Sequence, residues 1–393
     1  MDFRNFLMKS WFVFLCTVFF ITNVFTQAIN TKPQLNNSLI PPSPDVAAIA
    51  KYGIVPVTMY TGMADVSVPV TELKTSKLNL PISLGYNYNG YRPGEEASWV
   101  GLGWSLQADG VITRIVKGKV DEDANVTHWK DYANIGDLTS DPNFLDSMGR
   151  GYIDAEPDLY IFNFNGHSGK FLLVGSRAYT FPRQSLRISN VGNGFVIVAE
   201  DGSSYEFYDT ETTTPFNQSP EIGYYTGTPS YISSWHLTRI ISADKTDTIS
   251  YQYTTRIHRL YDLQSETYLS KSGNTDPYHA CLGSNNACDA WSVSTAAGPS
   301  ITTKRLTKIT SKMGYINFLV EGGGRLDVRT SSNDTALKEI DIYNYNSVLI
   351  KKIKLTHGYF QGATDFGGTN SQLKLNSVEV WAIIPIQYVT QHN

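Results

Sequence analysis

The chain has 393 residues, a formal net charge of −4, and 17% charged residues. It contains no run of basic residues, which argues against a nucleic-acid partner, because such a partner requires a basic patch. The length is sufficient for two domains or one large β domain. The 24 tyrosines favour pleated sheets with half-buried faces.

The first residues predict export. Arg4 and Lys9 precede the apolar run 11–21, and the small residue Ala28 offers a cleavage site. Positive charge, a short apolar core and a small-residue cut are typical of a secretory signal peptide. We expect residues 1–28 to be removed, residues 29–43 to form a linker, and the protein to be secreted, periplasmic or at the cell surface. No membrane span is expected after cleavage.

The region 44–120 begins with a short helix and continues with strands. Ser43 can cap a helix that ends near Gly53. Leu78–Tyr88 then alternates apolar and polar residues with period two, which predicts a strand with one buried face. Pro81 has no amide donor, so we expect this strand to lie at a sheet edge or to bulge there.

The rest of the chain is a series of paired apolar runs joined by short polar turns. The strongest turn signal is Asp201-Gly202, and Asn165–Gly169 is a second predicted turn. The predicted hairpins pair 158–164 with 170–174, 195–200 with 204–208, 236–241 with 247–253, 306–309 with 315–320, and 337–343 with 347–355. A helical turn is expected at 141–148.

These patterns predict an all-β protein with one or two very short helices. Antiparallel hairpins and meanders would form sandwich-like sheets or the start of a closed β-shell. We divide the chain after residue 120 into a β-hairpin region, 121–260, a polar insertion, 261–304, and C-terminal strands, 305–393. The insertion is rich in Ser, Thr, Asn and Gly.

An ordered set of motifs carries a family resemblance. Their order in the chain is 65–70, 80–86, 97–106, 110–114, 154–158, 160–166, 235–240 and 249–253. This order resembles the N-terminal region of secreted YD-repeat/Rhs-like proteins of the Bacteroidota type. The pieces Gly-Leu-Gly-Trp-Ser-Leu (101–106) and Ile-Thr-Arg (112–114) are also similar to the start of plasmid-virulence-B and insecticidal Tc-toxin B components.

The resemblance implies a β-scaffold at the entrance of a long YD-repeat shell, which in relatives can enclose a C-terminal effector. It also implies that residues 305–393 form YD-like strands. No run of YD repeats follows Val380, so encapsulation is not carried over. We expect a non-enzymatic scaffold that assembles through edge strands, such as 78–88 or the apolar run 381–389. Its partner would be a YD-repeat/Rhs-like chain, or a surface glycan or protein.

The stretch WVGLGWSL, residues 99–106, allows two interpretations. In the first, Gly101 and Gly103 bend the chain while Trp99 and Trp104 fill the core nearby; together with Arg114 of the Ile-Thr-Arg piece they are structural. In the second, the protein is a carbohydrate-binding module whose exposed tryptophans form a ligand platform. The platform candidates are Trp99, Trp129, Trp235 and Trp291. Core packing is favoured.

Acidic residues at alternate positions suggest two further roles. Asp154, Glu156 and Asp158 would lie on one face of an extended segment, and 121–125 repeats the pattern. Such a cluster can hold calcium, although the Gly and Glu of an EF-hand loop are missing. The same carboxylates could serve a glycoside hydrolase. A solvated loop is the commoner reading, and no cofactor or firm metal site is expected.

The cysteines of the insertion suggest a small disulfide loop. Cys281 and Cys288 are close in sequence, and an exported chain favours a disulfide between them. A zinc site that includes His279 is the alternative. None of the seven histidines stands in a metalloenzyme motif.

Overall fold

The computed structural model describes residues 43–46, 49, 66–88, 90, 95–128, 141–154, 156–175, 177–215, 229–259, 299–328, 334–361 and 371–382. The chain divides into two units, Met1–Leu39 and Ile40–Asn393, and every described residue lies in the second. The predicted signal peptide and residues 29–42 of the linker therefore lie outside the described residues. Within the described ranges, no helix is long and apolar enough to cross a membrane.

Strands dominate the secondary structure of the described residues, which confirms the all-β prediction. One helix, α1 (Pro142–Gly149), begins where Asp141 accepts a hydrogen bond from the Asn143 amide. Residues 44–46 and 49 are also helical, as predicted. The strands are β1 (Val66–Lys74), β2 (Asn79–Tyr86), β3 (Trp104–Gln107), β4 (Gly110–Ile115), β5 (Thr127–His128), β6 (Ile153–Asp154), β7 (Leu159–Phe164), β8 (His167–Val174), β9 (Arg177–Phe181), β10 (Arg187–Val191), β11 (Gly194–Val198), β12 (Ser204–Thr214), β13 (Tyr231–Ile241), β14 (Thr248–Arg259), β15 (Ser300–Ser311), β16 (Gly314–Val320), β17 (Leu337–Asn344), β18 (Leu349–Gln361) and β19 (Ser371–Ala382).

Most strands belong to one large antiparallel sheet of 14 strands. Its main path runs β19-β18-β17-β16-β15-β12-β13-β4-β7-β8-β9, so β19 and β9 are its two ends. β10 and β11 attach to β12, and β14 pairs with both β13 and β15. The second sheet is β1-β2-β3, and β5 pairs with β6 in parallel.

β2 alternates as predicted, with Leu80, Ile82 and Leu84 buried. The prediction that it is an edge strand is wrong, because β2 lies between β1 and β3. Pro81 is tolerated there since β3 pairs only with 83–86 and leaves its missing N–H unopposed on that side. The expected irregularity lies in the partner strand, between Pro69 and Thr71 of β1.

All five predicted hairpins form, as β7–β8, β11–β12, β13–β14, β15–β16 and β17–β18. The first turn is tighter than predicted. Only Asn165 and Gly166 turn, with φ of 40° and 82°, and Phe164 pairs with His167. Asn-Gly with positive φ at both positions gives a type I′ turn, so the residues from His167 onward already belong to β8.

β15 begins inside the predicted polar insertion. Its first residues, 300–304, pair with β12 and β14, and Ile301 is fully buried. The β-branched sequence Ile301-Thr-Thr303 explains why this end of the insertion is extended. The segment 260–298, with Cys281, Cys288 and His279, lies outside the described residues.

Aromatic side chains dominate the core between β7, β8, β11 and β12. Phe162, Phe164, Phe171, Phe195 and Phe207 are each at most 1% exposed. Their rings pack edge-on or tilted at centroid distances of 5.4–6.2 Å, a geometry that stabilises aromatic pairs. This core fixes the inner face of the β7–β8–β9 end of the sheet.

Candidate assembly edge

The glycines of WVGLGWSL form a tight turn that packs against β19. Gly101 has a φ of 138°, and a Cβ there would lie 2.9 Å from the backbone nitrogen of Leu375. Gly103 has a φ of 77°, and a Cβ would lie 2.7 Å from the Cβ of Tyr88. Both the backbone conformation and the close approach therefore require glycine.

This turn occupies the outer edge of the first part of β19. The amide of Leu102 donates to the carbonyl of Leu373 over 2.8 Å. The amide of Leu373 donates to Oδ2 of Asp327 over 2.9 Å. The side chain of Gln372 donates to the carbonyl of Glu95 over 3.0 Å. The outer edge of 371–375 is thus covered at Leu373 by the turn and Asp327, while β18 pairs with the other edge.

A buried ion pair holds Asp327 in place. The Arg325 guanidinium binds both oxygens of Asp327, over 3.0 and 2.8 Å, and both side chains are 3% exposed. Arg325 also donates to the carbonyl of Ala97 over 2.8 Å. Such a bidentate pair fixes geometry as well as charge. The segment before Gly101 is therefore bonded to the same side chains that cap β19.

The second part of β19, residues 376–382, is different. At Asn376 the pairing with β18 slips, because Thr356 pairs with Ser377 and His357 with Leu375. Beyond this bulge the strand continues to pair with β18, yet no described strand pairs with its other edge. Val380 and Trp381 are 55% and 58% exposed. An edge strand with exposed apolar side chains is a template for a further strand.

Two of the four platform tryptophans are core residues, which corrects the platform interpretation for them. Trp99 is 5% exposed, its carbonyl accepts from the Leu337 amide, and the Arg305 guanidinium lies 5.1 Å from its ring. Trp235 is 5% exposed and packs 4.9 Å from Phe195. Neither ring can stack on a ligand. Trp104 is half-buried against Tyr86, and Trp129 and Trp291 lie outside the described residues.

The predicted acidic cluster is a bonded structural element around Arg114. Arg114 and Asp158 form a buried ion pair, and Asp158 also accepts from the amides of Lys117 and Asp121. Burial raises the pKa of Asp158 to about 6, although the Arg114 guanidinium lowers it. Asp158 is fully buried and Glu156 is exposed, so these two carboxylates do not face one site.

His128, which stands in no metal-binding motif of the sequence, also belongs to this acidic cluster. Asp121, His128 and Asp154 each place a ligand atom within 4.8 Å of the others. Nε2 of His128 lies 2.9 Å from the carbonyl of Asp123, and Nδ1 lies 3.7 Å from Oδ2 of Asp154. Two carboxylates and an imidazole are donors that divalent metals accept. Burial raises the pKa of Asp154.

A second buried cluster, around His236, was not predicted from the sequence. His236 lies between Asp109 and Glu211, with Nδ1 3.6 Å and Nε2 3.2 Å from their oxygens. Burial alone would lower the pKa of His236, but hydrogen bonds and charge from the two carboxylates outweigh it and raise the pKa to about 9. Glu211 also accepts from the Ser43 hydroxyl over 3.1 Å. The partners are 25 and more residues apart, so no local motif reveals them.

No known protein family and no curated protein matches the chain. Among solved structures it is similar to a chain of the crystal structure of TcdB2-TccC3-Cdc42, with 12% sequence identity and a TM-score of 0.35. The similarity covers 81% of this chain and 15% of that chain, so this chain spans a small part of that chain's length.

Proposed function

We propose that the protein is a secreted, non-enzymatic β-scaffold, the N-terminal module of a YD-repeat/Rhs-like assembly. It acts by extending its large sheet: residues 376–382 of β19 accept a strand from a partner chain of YD-repeat type. Main-chain hydrogen bonds along the edge would supply affinity, and the exposed side chains would supply selectivity.

The observation that carries this proposal is the contrast within β19. Residues 371–375 have their outer edge occupied by the Gly101 turn and Asp327, whereas the described residues place no strand beside 376–382. Edge strands that stay single are commonly protected by charge or proline. Residues 376–382 have a single charged residue, Glu379, and no proline, so this part of the edge has little of that protection.

The chemistry of the exposed end fits a strand partner better than a small ligand. Val380 pairs with Ile353 of β18, and Trp381 pairs with Lys352. Ile353 is fully buried while Val380 is 55% exposed, so the outermost strand is the one that still has apolar surface to bury. A further strand paired beside them would cover part of both side chains, one on each face of the sheet, and contribute about 1–2 kcal/mol through new cross-strand pairs.

Analytical ultracentrifugation tests the proposal. The purified protein is sedimented alone, over a range of concentrations, and mixed with the product of the adjacent gene. We expect association that is lost when Val380 and Trp381 are both replaced by Lys. Val191→Lys is the matched control, since Val191 is 47% exposed on β10, away from β19. A monomer under all conditions, or association that the double substitution leaves intact, would contradict the proposal.

A further inference from the structure

The opposite end of the large sheet carries a separate surface with an unusual charge pattern. Residues 159–199 contain no Asp or Glu, although the whole chain has a net charge of −4. The same stretch contains Lys170, Arg177, Arg183 and Arg187. Among the described residues, no acidic side chain forms an ion pair with any of these four. The stretch is therefore a local concentration of uncompensated positive charge in an acidic protein.

The β8–β9 hairpin sorts its side chains cleanly onto two faces. Its inner face is core: Phe171 is fully buried, and Leu173 and Ala178 pack against the main cluster. The outer face consists of three cross-strand pairs. These pairs are Lys170 with Phe181, Leu172 with Tyr179, and Val174 with Arg177.

The outer face presents aromatic rings to solvent. Tyr179 is 47% exposed and Phe181 is 51% exposed, and they follow each other on one face of β9 at i and i+2. Val174, which pairs with Arg177, is 43% exposed. Two rings in a row are therefore flanked by Arg177 at one end and by Lys170, which pairs with Phe181, at the other, all on one face of the hairpin.

Edge protection explains only half of this pattern. β9 ends the sheet path, and a positive charge on an edge strand discourages pairing with another chain. Exposed Tyr and Phe on the same strand have the opposite effect, because they add apolar surface that water disfavours. Rings and cations together on one face are instead typical of a recognition surface.

The size and the charge of this outer face indicate which class of partner fits it. A stable protein–protein interface uses roughly 20–30 residues a side, far more than these six side chains. A linear polymer needs only a short flat contact per repeat, and it gains affinity by engaging successive units. The positive charge requires that polymer to be anionic, and the exposed ring faces suit the C–H faces of sugars.

We propose that the outer face of the β8–β9 hairpin binds an anionic polysaccharide. Tyr179 and Phe181 stack on sugar rings, while Arg177 and Lys170 pair with carboxylate or sulfate groups. This site is distinct from the β19 edge, and neither the buried tryptophans nor the acidic cluster contributes to it.

Affinity electrophoresis of the purified protein tests this site. Gels contain polygalacturonate, dextran sulfate or neutral dextran, and titration calorimetry confirms the dissociation constants. We expect retardation by at least one of the two anionic polymers and none by neutral dextran. Tyr179→Ala and Arg177→Glu should each weaken binding at least about fivefold.

Matched control variants distinguish binding at the outer face of the β8–β9 hairpin from a general effect of charge or of tyrosine loss. Tyr345→Ala removes a tyrosine that is 70% exposed in a turn far along the chain from β9. Lys338→Glu, at an exposed position of β17, reverses one positive charge as Arg177→Glu does on β9. Both should leave affinity within about twofold. All four residues are at the surface, so the variants should fold normally.

Several results would overturn the proposal. Binding to neither anionic polymer would do so, as would equal binding to neutral dextran. Equal binding to polyglutamate or to anionic lipid vesicles, unaffected by Tyr179→Ala, would show plain polyanion attraction instead of sugar recognition. An equal loss in Tyr345→Ala would remove the assignment to this face.

Discussion

The two halves of β19 share one partner strand but differ on their outer side. Residues 371–375 are closed by the turn at Gly101 and by Asp327, with hydrogen bonds of 2.8–2.9 Å to Leu373. Residues 376–382, after the bulge at Asn376, pair with β18 alone among the described residues. The same strand is thus a finished edge at one end and an open edge at the other.

Two structural features close the first half of the β19 edge. Closure uses a positive-φ glycine that lets the backbone approach, and a buried arginine that holds an acceptor for the Leu373 amide. Neither device reaches past Asn376. β9, at the other end of the sheet, has a third solution: Arg177 on an exposed edge.

The largest effect should come from the arginine that supports the closed half. Arg325→Met leaves the buried Asp327 without its cation, which should lower the free energy of unfolding by about 3–5 kcal/mol. Urea denaturation measures the loss. Arg239→Met is the control, because Arg239 is 54% exposed and pairs with Glu206 at the surface, so it should cost less than about 1 kcal/mol. Equal costs would remove the distinction between the closed half and an ordinary surface pair.

The next effect concerns the turn itself. Gly101→Ala meets both an unfavourable φ of 138° and the Leu375 backbone, and should cost about 3 kcal/mol in urea denaturation. Gly192→Ala is the matched control, since Gly192 has a φ of 61° with open space around it. That substitution should cost about 1 kcal/mol. If the two alanine variants were equally stable, contact between the turn and β19 would not matter.

Strand β13 lies inside the large sheet and, unlike the open half of β19, has partner strands on both edges: β12, β14 and β4. Its His236 has a pKa raised to about 9, so its stabilising effect is complete below the unfolded value of 6.5 and disappears as pH rises through 9. We expect the free energy of unfolding to fall by about 2–3 kcal/mol between pH 6.5 and 9.5. His236→Gln should flatten that slope, and a slope unchanged in this variant would assign it to other groups.

The smallest effect on stability belongs to the open half. Trp381→Ser removes a side chain that is 58% exposed, so the free energy of unfolding of the isolated protein should change by less than about 0.5 kcal/mol. The measurement is the urea midpoint at a concentration where the protein is monomeric. A loss of several kcal/mol would mean that Trp381 is already packed within the chain.

Local patterns predicted much of the fold. Alternation placed β2, paired apolar runs with polar turns placed all five hairpins, and the helical turn expected at 141–148 is α1, because such signals depend on neighbours in the sequence. The same logic failed for the position of β2 within its sheet. Pro81 suggests an edge, but the short strand β3 covers β2 without reaching Pro81.

The sites depend on contacts that sequence spacing does not encode. Arg325 meets Ala97 across 228 residues, and Ser43 meets Glu211 across 168. Core packing was the favoured interpretation of Trp99 and is confirmed, whereas Trp235 was a platform candidate and is also a core residue; each is 5% exposed. The charge asymmetry of 159–199 was visible in the sequence, but only the register of β8 and β9 shows that Lys170, Tyr179 and Phe181 share an exposed face.

Amide hydrogen exchange along β19 tests the open edge most directly. Exchange is followed for residues 371–382 in the isolated protein and in the assembled form. We predict that residues 371–375 are protected in both, and that amides within 376–382 gain protection only on assembly. No gain in 376–382, or a gain confined to other strands, would contradict assembly through β19.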